Sequence, residues 1–377
     1  MSPTKILYLI TEDWYFWSHR LPIARAARDA GFEVLIATRV GQHRERIEAE
    51  GFKLIPIGLE RKSRNIFREI TSIFEIVKIY RKEKPDIVHH VAMKPVLYGS
   101  IAACIVGVHH VVNALAGLGY VFTSRNIIAQ FLRFFIVKLF QFLLNREGSR
   151  LILQNDNDCF LLTQSCRTDK EKICLIRGSG VDTTVFHPFP KFSGIPVVIL
   201  ASRMLWDKGV GDFVEAVRLL KKRQVVARFV LVGDTDLHNP NAVPRLALQE
   251  WSSAGIVEWW GKKEDMADVF ARATIFCLPS FYGEGVPKVL LEAAACGLPI
   301  ITTDTPGCRD VVRNEENGLL VPIQSVPDLA NALQRLVKDP ELCRRMGVIG
   351  REIVLKEFAV EKVVAQTLAL YEKTLSL

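Results

Sequence analysis

The chain has 377 residues, 49% hydrophobic and 24% charged. That length and balance suit two globular domains of ordinary size and exclude a disordered or low-complexity chain. The net charge of +8 is uneven, because 26 Lys and Arg stand against 18 Asp and Glu up to His187 while the remainder holds 23 of each. The first half therefore calls for a negative partner: anionic lipid, pyrophosphate or nucleic acid. Eight cysteines are scattered without a C-x-x-C pair, which gives no zinc spacing and implies reduced, mostly buried thiols. With a strand starting near Lys5, no signal peptide is expected and a cytosolic setting is.

In chain order, residues 5–11 read as a buried strand and 12–20 as a short loop. Residues 21–30 read as a helix closed by Gly31, 32–38 as a strand, 43–50 as a helix and 52–57 as a strand. This alternation predicts a parallel, doubly wound sheet. No G-x-G-x-x-G follows the first strand, so a dinucleotide site there is not expected. Instead Trp14, Tyr15, Phe16 and Trp17 crowd the strand's carboxyl end, as core packing or as a ligand wall. Arg61, Lys62, Arg64 and Arg68 form the densest early basic patch, before a helix reaching about 82. A strand over 85–90 ends in His89 and His90, with Lys94 just beyond. A helix over 96–106 and a strand over 109–115 follow. The apolar stretch 127–144 gathers Gln130, Arg133, Lys138 and Gln141 on one helical side. It reads either as a core helix or as an interfacial membrane helix. Arg133 and Lys138 in its middle argue against a span.

Strands over 151–154 and 173–178 lead into an irregular segment and a linker near 189–196. A second alternating set opens with a strand over 197–201, then Arg203, Lys208 and Gly209, and a helix over 210–223. Strands over 229–233, 257–261 and 273–278 and a helix over 265–271 follow. After 278 comes a glycine-flanked loop carrying Glu284, then a helix begun by Pro287, holding Glu292 and ended by Gly297 and Pro299. A strand over 300–303 and helices over 328–337, 341–357 and 361–375 complete the chain.

Arg203 and Lys208, just past a strand end, suit a diphosphate, the first as a fork and the second as a point charge. A helix N-terminus adds free N–H groups for an anion. Glu284 and Glu292 cannot bind that anion and suit hydroxyl donors. Phosphate and hydroxyls together describe a nucleotide sugar. Asp234-Thr-Asp236 is a D-x-D, a pattern that can bind a metal–nucleotide and is frequent by chance.

The pattern Glu284, seven residues, Glu292, within Pro279-Ser280, Gly285, Pro287, Leu291-Glu292-Ala293, Gly297 and Pro299, resembles the signature of glycosyltransferase family four. That resemblance implies the α/β GT-B fold, two Rossmann-like doubly wound domains facing across a cleft. It implies an acceptor-binding domain over 1–188, a nucleotide-sugar domain over 189–355 and a helix over 356–377 crossing back to the first. It implies a retaining hexosyltransferase with Glu284, Arg203 and Lys208 as catalytic residues. The donor site would comprise Arg203, Lys208, Glu284, Gly285, Val286 and Glu292, with Glu292 on the ribose hydroxyls. No cofactor or essential metal is expected, the cations and helix end supplying the positive charge.

The chain departs from the family in two places. Asn113-Ala-Leu-Ala-Gly117 stands where many relatives carry a His-x-x-His-Gly pattern, and the first loop is aromatic where a glycine pair is frequent. His19, His89 and His90 are substitutes for the missing histidine. The variant loop resembles bacterial members that build O-antigen, capsule or glycoprotein glycans on polyprenyl pyrophosphate. The acceptor residues would then be Trp14, His19, Arg61, Arg64, His90 and Lys94. The partners would be a nucleotide sugar, UDP before GDP, a lipid-linked saccharide and the anionic inner face of the cell membrane, with no nucleic acid. The competing readings are a soluble acceptor and a non-catalytic basic membrane protein.

Overall fold

The computed structural model describes residues 3–60, 65–118, 127–189, 194–236, 239–281 and 285–377. It forms two compact units, Met1–Gly180 with Val360–Leu377, and Val181–Ala359.

The first unit is a parallel sheet of β1 (Lys5–Glu12), β2 (Glu33–Arg39), β3 (Lys53–Pro56), β4 (Ile87–Val91), β5 (His110–Leu115), β6 (Ser149–Leu153) and β7 (Ile173–Leu175). Their order is β3-β2-β1-β4-β5-β6-β7. Both faces are covered, so β1 buries successive residues on opposite sides. Ile6, Tyr8 and Ile10 pack towards α1 (Asp13–His19), α2 (Leu21–Asp29) and α15 (Val360–Leu375). Leu7 and Leu9 pack towards α4 (Ile66–Glu83) and α5 (Met93–Val106). Further along that face, α6 (Ile127–Leu143) buries Ile136 and Phe140 beside α7 (Asp156–Cys166). A short α3 (Arg44–Ala49) links β2 to β3.

The second unit is a sheet of β8 (Val197–Ala201), β9 (Arg228–Val232), β10 (Glu258–Trp259), β11 (Ile275–Leu278), β12 (Ile300–Thr303) and β13 (Gly318–Val321). Its order is β10-β9-β8-β11-β12-β13. Between the strands run α8 (Val210–Lys222), α9 (Arg245–Ser253), α10 (Met266–Ala271), α11 (Lys288–Ala295) and α12 (Cys308–Val311), and α13 (Val326–Lys338) and α14 (Pro340–Ile353) follow the last strand.

Several elements differ from the sequence expectation. Residues 13–19 are helical, too short a run for periodicity to betray, and α7, α9, α12 and β13 were not anticipated. The α7 cap was readable: the Asn155 side chain accepts from the Asp158 N–H at 2.7 Å. The segment 181–188 belongs to the second unit because Val181 pairs with Ala359 and Arg351 donates to the carbonyls of Thr183, Phe186 and Ala295 at 3.0, 2.6 and 2.8 Å. Such long-range anchoring has no local signature. The described cysteines are all free thiols. Among the described residues, no helix is long and apolar enough to cross a membrane.

Candidate active site

In a doubly wound sheet, ligands bind outside the strands' carboxyl ends where the strand order reverses. In the second unit that point lies between β8 and β11. The loop after β8 carries Arg203 and Lys208, and the segment after β11 leads to Gly285, Val286 and Glu292. The two loops are tied together. The Asp207 carbonyl accepts from the Phe281 N–H at 3.1 Å and from the Ser280 hydroxyl at 3.2 Å. Gly209 has φ +73°, and a Cβ there would lie 2.1 Å from the Pro279 carbonyl oxygen. Only glycine permits both the conformation and the approach. From the other side, Thr303 donates to the Ser280 carbonyl and Thr302 donates to that of Leu278 at 2.7 Å. The β11 end is thus held on one flank by the Asp207 carbonyl and on the other by threonine hydroxyls that donate to its own carbonyls.

Arg203 is part-exposed and pairs with Asp236 at 3.2 Å. Asp234 faces Arg245 at 3.6 Å, and that guanidinium also lies over the Trp259 ring. The D-x-D therefore supplies partners to arginines in this chain. Glu292 is buried in α11, its carboxylate 2.9 Å from the Lys288 ammonium one turn earlier. Burial raises its pKa above the usual carboxylate range, and Lys288 offsets part of that rise. The Lys288–Glu292 spacing of four was a readable pairing signal. Gly285 and Val286 are buried ahead of the helix. Glu284 lies outside the described residues.

In the first unit the order reverses between β1 and β4. The segments there are α1 and the start of α5. Helical geometry sorts the aromatic run: Phe16 enters the core, Trp14 is exposed, and Tyr15 stacks on His19 at 4.2 Å. The His19 Nδ1 lies 2.6 Å from the Ser18 hydroxyl. So only part of the expected wall faces outward.

The histidines of β4 correct the acceptor expectation. His90 is fully buried, with Nε2 2.8 Å from the Tyr80 hydroxyl and Nδ1 2.8 Å from Asn113 Oδ1. Both ring nitrogens are taken, which leaves none for a sugar hydroxyl. His89 is fully buried on the opposite face, against the Tyr371 hydroxyl at 2.5 Å. Desolvation holds His90 down to about 4 and His89 well below its ordinary value. A strand residue inside a two-faced sheet is core, and the sequence alone did not show how far β4 extends past His90. Lys94 donates to the Glu60 carbonyl at 2.9 Å and to Glu69 at 2.7 Å, so a pyrophosphate would compete with Glu69. Arg61 and Arg64 lie outside the described residues.

Sequence reasoning missed Ala92, at the end of β4. Its φ of 82° and ψ of 166° belong to a region that L residues rarely adopt. Strain of this kind sits at the switch point and carries no residue-type signal.

Residues 5–155 match the family model described as "Glycosyl transferase 4-like", and residues 195–339 match "Glycosyl transferases group 1". The chain is 28% identical over 370 residues to N,N'-diacetylbacillosaminyl-diphospho-undecaprenol alpha-1,3-N-acetylgalactosaminyltransferase of Campylobacter jejuni, covering 94% of this chain and 95% of that one. It is 27% identical over 333 residues to UDP-Gal:alpha-D-GlcNAc-diphosphoundecaprenol alpha-1,3-galactosyltransferase of Escherichia coli, covering 80% and 81%. The crystal structure of a glycosyltransferase from Rickettsia africae superposes with a TM-score of 0.80 at 19% identity, over 100% of this chain and 99% of that one. The two parallel-sheet units are Rossmann-like domains of the GT-B fold. With both halves matched, the chain belongs to the GT4-type glycosyltransferases.

Proposed function

We propose that this glycosyltransferase moves an N-acetylhexosamine or hexose from a UDP-sugar to a saccharide carried on polyprenyl diphosphate, with retention at the anomeric carbon. The observation that carries the reading is the junction at the second unit's switch point, which joins the Arg203–Lys208 loop to the β11 loop leading to Glu292. The names of the Campylobacter and Escherichia relatives support the lipid-diphosphate acceptor.

In this reading Arg203 forks onto the donor diphosphate and Lys208 adds a second charge. The N–H groups near Gly285 and Val286 complete the phosphate cradle, and Glu292 accepts from the ribose hydroxyls. Glu284 contacts the donor sugar. The bond between the anomeric carbon and the β-phosphate oxygen breaks, and its electron pair goes to the leaving diphosphate. The acceptor hydroxyl oxygen forms the new bond, and its proton passes to the departing phosphate oxygen. Arg203 and Lys208 stabilise that developing charge without calling on a metal. Trp14 and His19 border the acceptor, Lys94 meets its diphosphate once released from Glu69, and Arg61 and Arg64 join it. The protein works at the inner face of the cell membrane, where such acceptors lie. The exposed Phe134, Phe135 and Phe142 of α6, with Lys138 beside them, support that placement.

Incubation with UDP-N-acetylhexosamines and UDP-hexoses and a synthetic polyprenyl-diphosphate saccharide tests this. Mass spectrometry should find one added sugar, and the anomeric coupling of the product should match that of the donor. An inverted product, or none from any donor, would contradict the reading.

A further inference from the structure

We infer that the first unit holds one small anion, a halide such as chloride, in its interior between Arg20 and His89. This site is separate from the donor and acceptor groups named above.

Three aromatic side chains form a closed polar chain on the sheet face covered by α1, α2 and α15. The Tyr8 hydroxyl lies 3.0 Å from that of Tyr371, which lies 2.5 Å from His89 Nδ1. Tyr8 and His89 stand opposite one another in the β1–β4 ladder, and all three side chains are fully buried. Desolvation keeps His89 neutral, so its ring carries one proton. With Tyr8 donating to Tyr371 and Tyr371 to Nδ1, every hydroxyl proton is used and the ring proton stands on Nε2. That nitrogen is sealed from solvent and has no partner.

Arg20, at the junction of α1 and α2, is 3% exposed. Its backbone N–H donates to the Phe16 carbonyl at 2.8 Å, and the Phe16 ring meets that of Tyr8 edge-on at 6.3 Å. Among the described residues no carboxylate pairs with its guanidinium, and its Nε is a second sealed donor without a partner. The charge reaches the whole aromatic chain. It adds to desolvation in lowering His89, and it works against the burial that raises Tyr8 and Tyr371.

Both open positions are N–H donors, and one belongs to a buried cation. A buried charge without a counter-charge is strongly unfavourable in a protein interior. Water could accept from both donors but would leave the charge uncompensated. An anion answers the hydrogen bonds and the charge together. The enclosure limits its size: with all four side chains inside, a monatomic ion fits where a phosphate and its substituents do not. Held there, the ion joins β1, β4, the α1–α2 junction and α15.

Thermal unfolding of the full chain at constant ionic strength tests this, with sodium chloride replacing sodium gluconate, whose anion is too large to enter. Wild type should gain about 3 °C or more between zero and about 0.2 M chloride, along a saturating curve. Arg20→Met should show no such gain. In gluconate it should match or exceed wild type, because an apolar side chain suits the site better than an uncompensated charge. Wild-type crystals soaked in bromide should show an anomalous peak within hydrogen-bonding reach of Arg20 Nε and His89 Nε2, a result that does not depend on the variant folding. No chloride response in wild type, an equal response in Arg20→Met, or a water in place of the bromide peak would overturn the inference.

Discussion

The two switch points are built on one plan and from different materials. In the second unit the loops are fixed through backbone carbonyls: that of Pro279 against Gly209, that of Asp207 receiving Ser280 and Phe281, and that of Ser280 receiving the Thr303 hydroxyl. In the first unit the corresponding ground is made by side chains, with Tyr15 stacked on His19 and Lys94 locked to Glu69. In the proposed reading the backbone-fixed loops of the second unit hold Arg203 and Lys208 towards a diphosphate that every nucleotide sugar shares, and the side chains of the first unit meet acceptors that differ.

The comparison can be broken most forcefully at the cations. Arg203→Ala should lower kcat by about 10²–10³, roughly 3–4 kcal/mol of transition-state stabilisation, with the unfolding transition nearly unchanged. A similar loss from Trp14→Ala would remove the contrast between the two sites.

Gly209→Ala should destabilise the second unit by roughly 3 kcal/mol in denaturant unfolding and weaken UDP binding, because a Cβ would lie 2.1 Å from the Pro279 oxygen at a positive φ. An unaffected variant would mean that the loop junction is loose.

Acid should separate the units by sign. His90 is held down to about 4 by desolvation, whereas an unfolded chain protonates it near 6.5. Its contribution, on the order of 3 kcal/mol, is present above about pH 6.5 and lost as pH falls towards 4. His89 acts in the same direction. Glu292 is raised by burial, so its contribution is present below the ordinary carboxylate pKa and lost as pH rises through its folded value. Hydrogen exchange should therefore show β4 amides weakening on acidification. Above that window Glu292→Gln should protect α11 relative to wild type. Exchange in β4 that is flat from pH 7 to 4 would contradict the burial of its histidines.

The smallest effect is at Ala92. Ala92→Gly removes strain but adds chain entropy, so the thermal midpoint should rise by the equivalent of about 1 kcal/mol. A fall would mean that the methyl group's packing outweighs the strain.

Legibility followed the same division. The loops after β8 and β11 were readable because glycines and prolines at fixed offsets mark backbone that must bend or approach closely. The strand and helix alternation was readable because buried parallel strands are continuous apolar runs. The first unit's switch point was not: His89 and His90 ended a predicted strand, and only the sheet shows that β4 continues to Val91 with both rings inside. Helix α1 hid in seven aromatic-rich residues. The Arg351 clamp that claims residues 183–186 for the second unit spans more than 160 positions and leaves no local trace.

The most direct test of the central claim is a calorimetric titration of UDP, GDP and ADP into wild type and Glu292→Ala. The account predicts that UDP binds wild type most tightly and that Glu292→Ala, still folded, loses most of that affinity. UDP binding that survives the substitution unchanged, or no nucleotide binding at all, would contradict a donor site at the second unit's switch point.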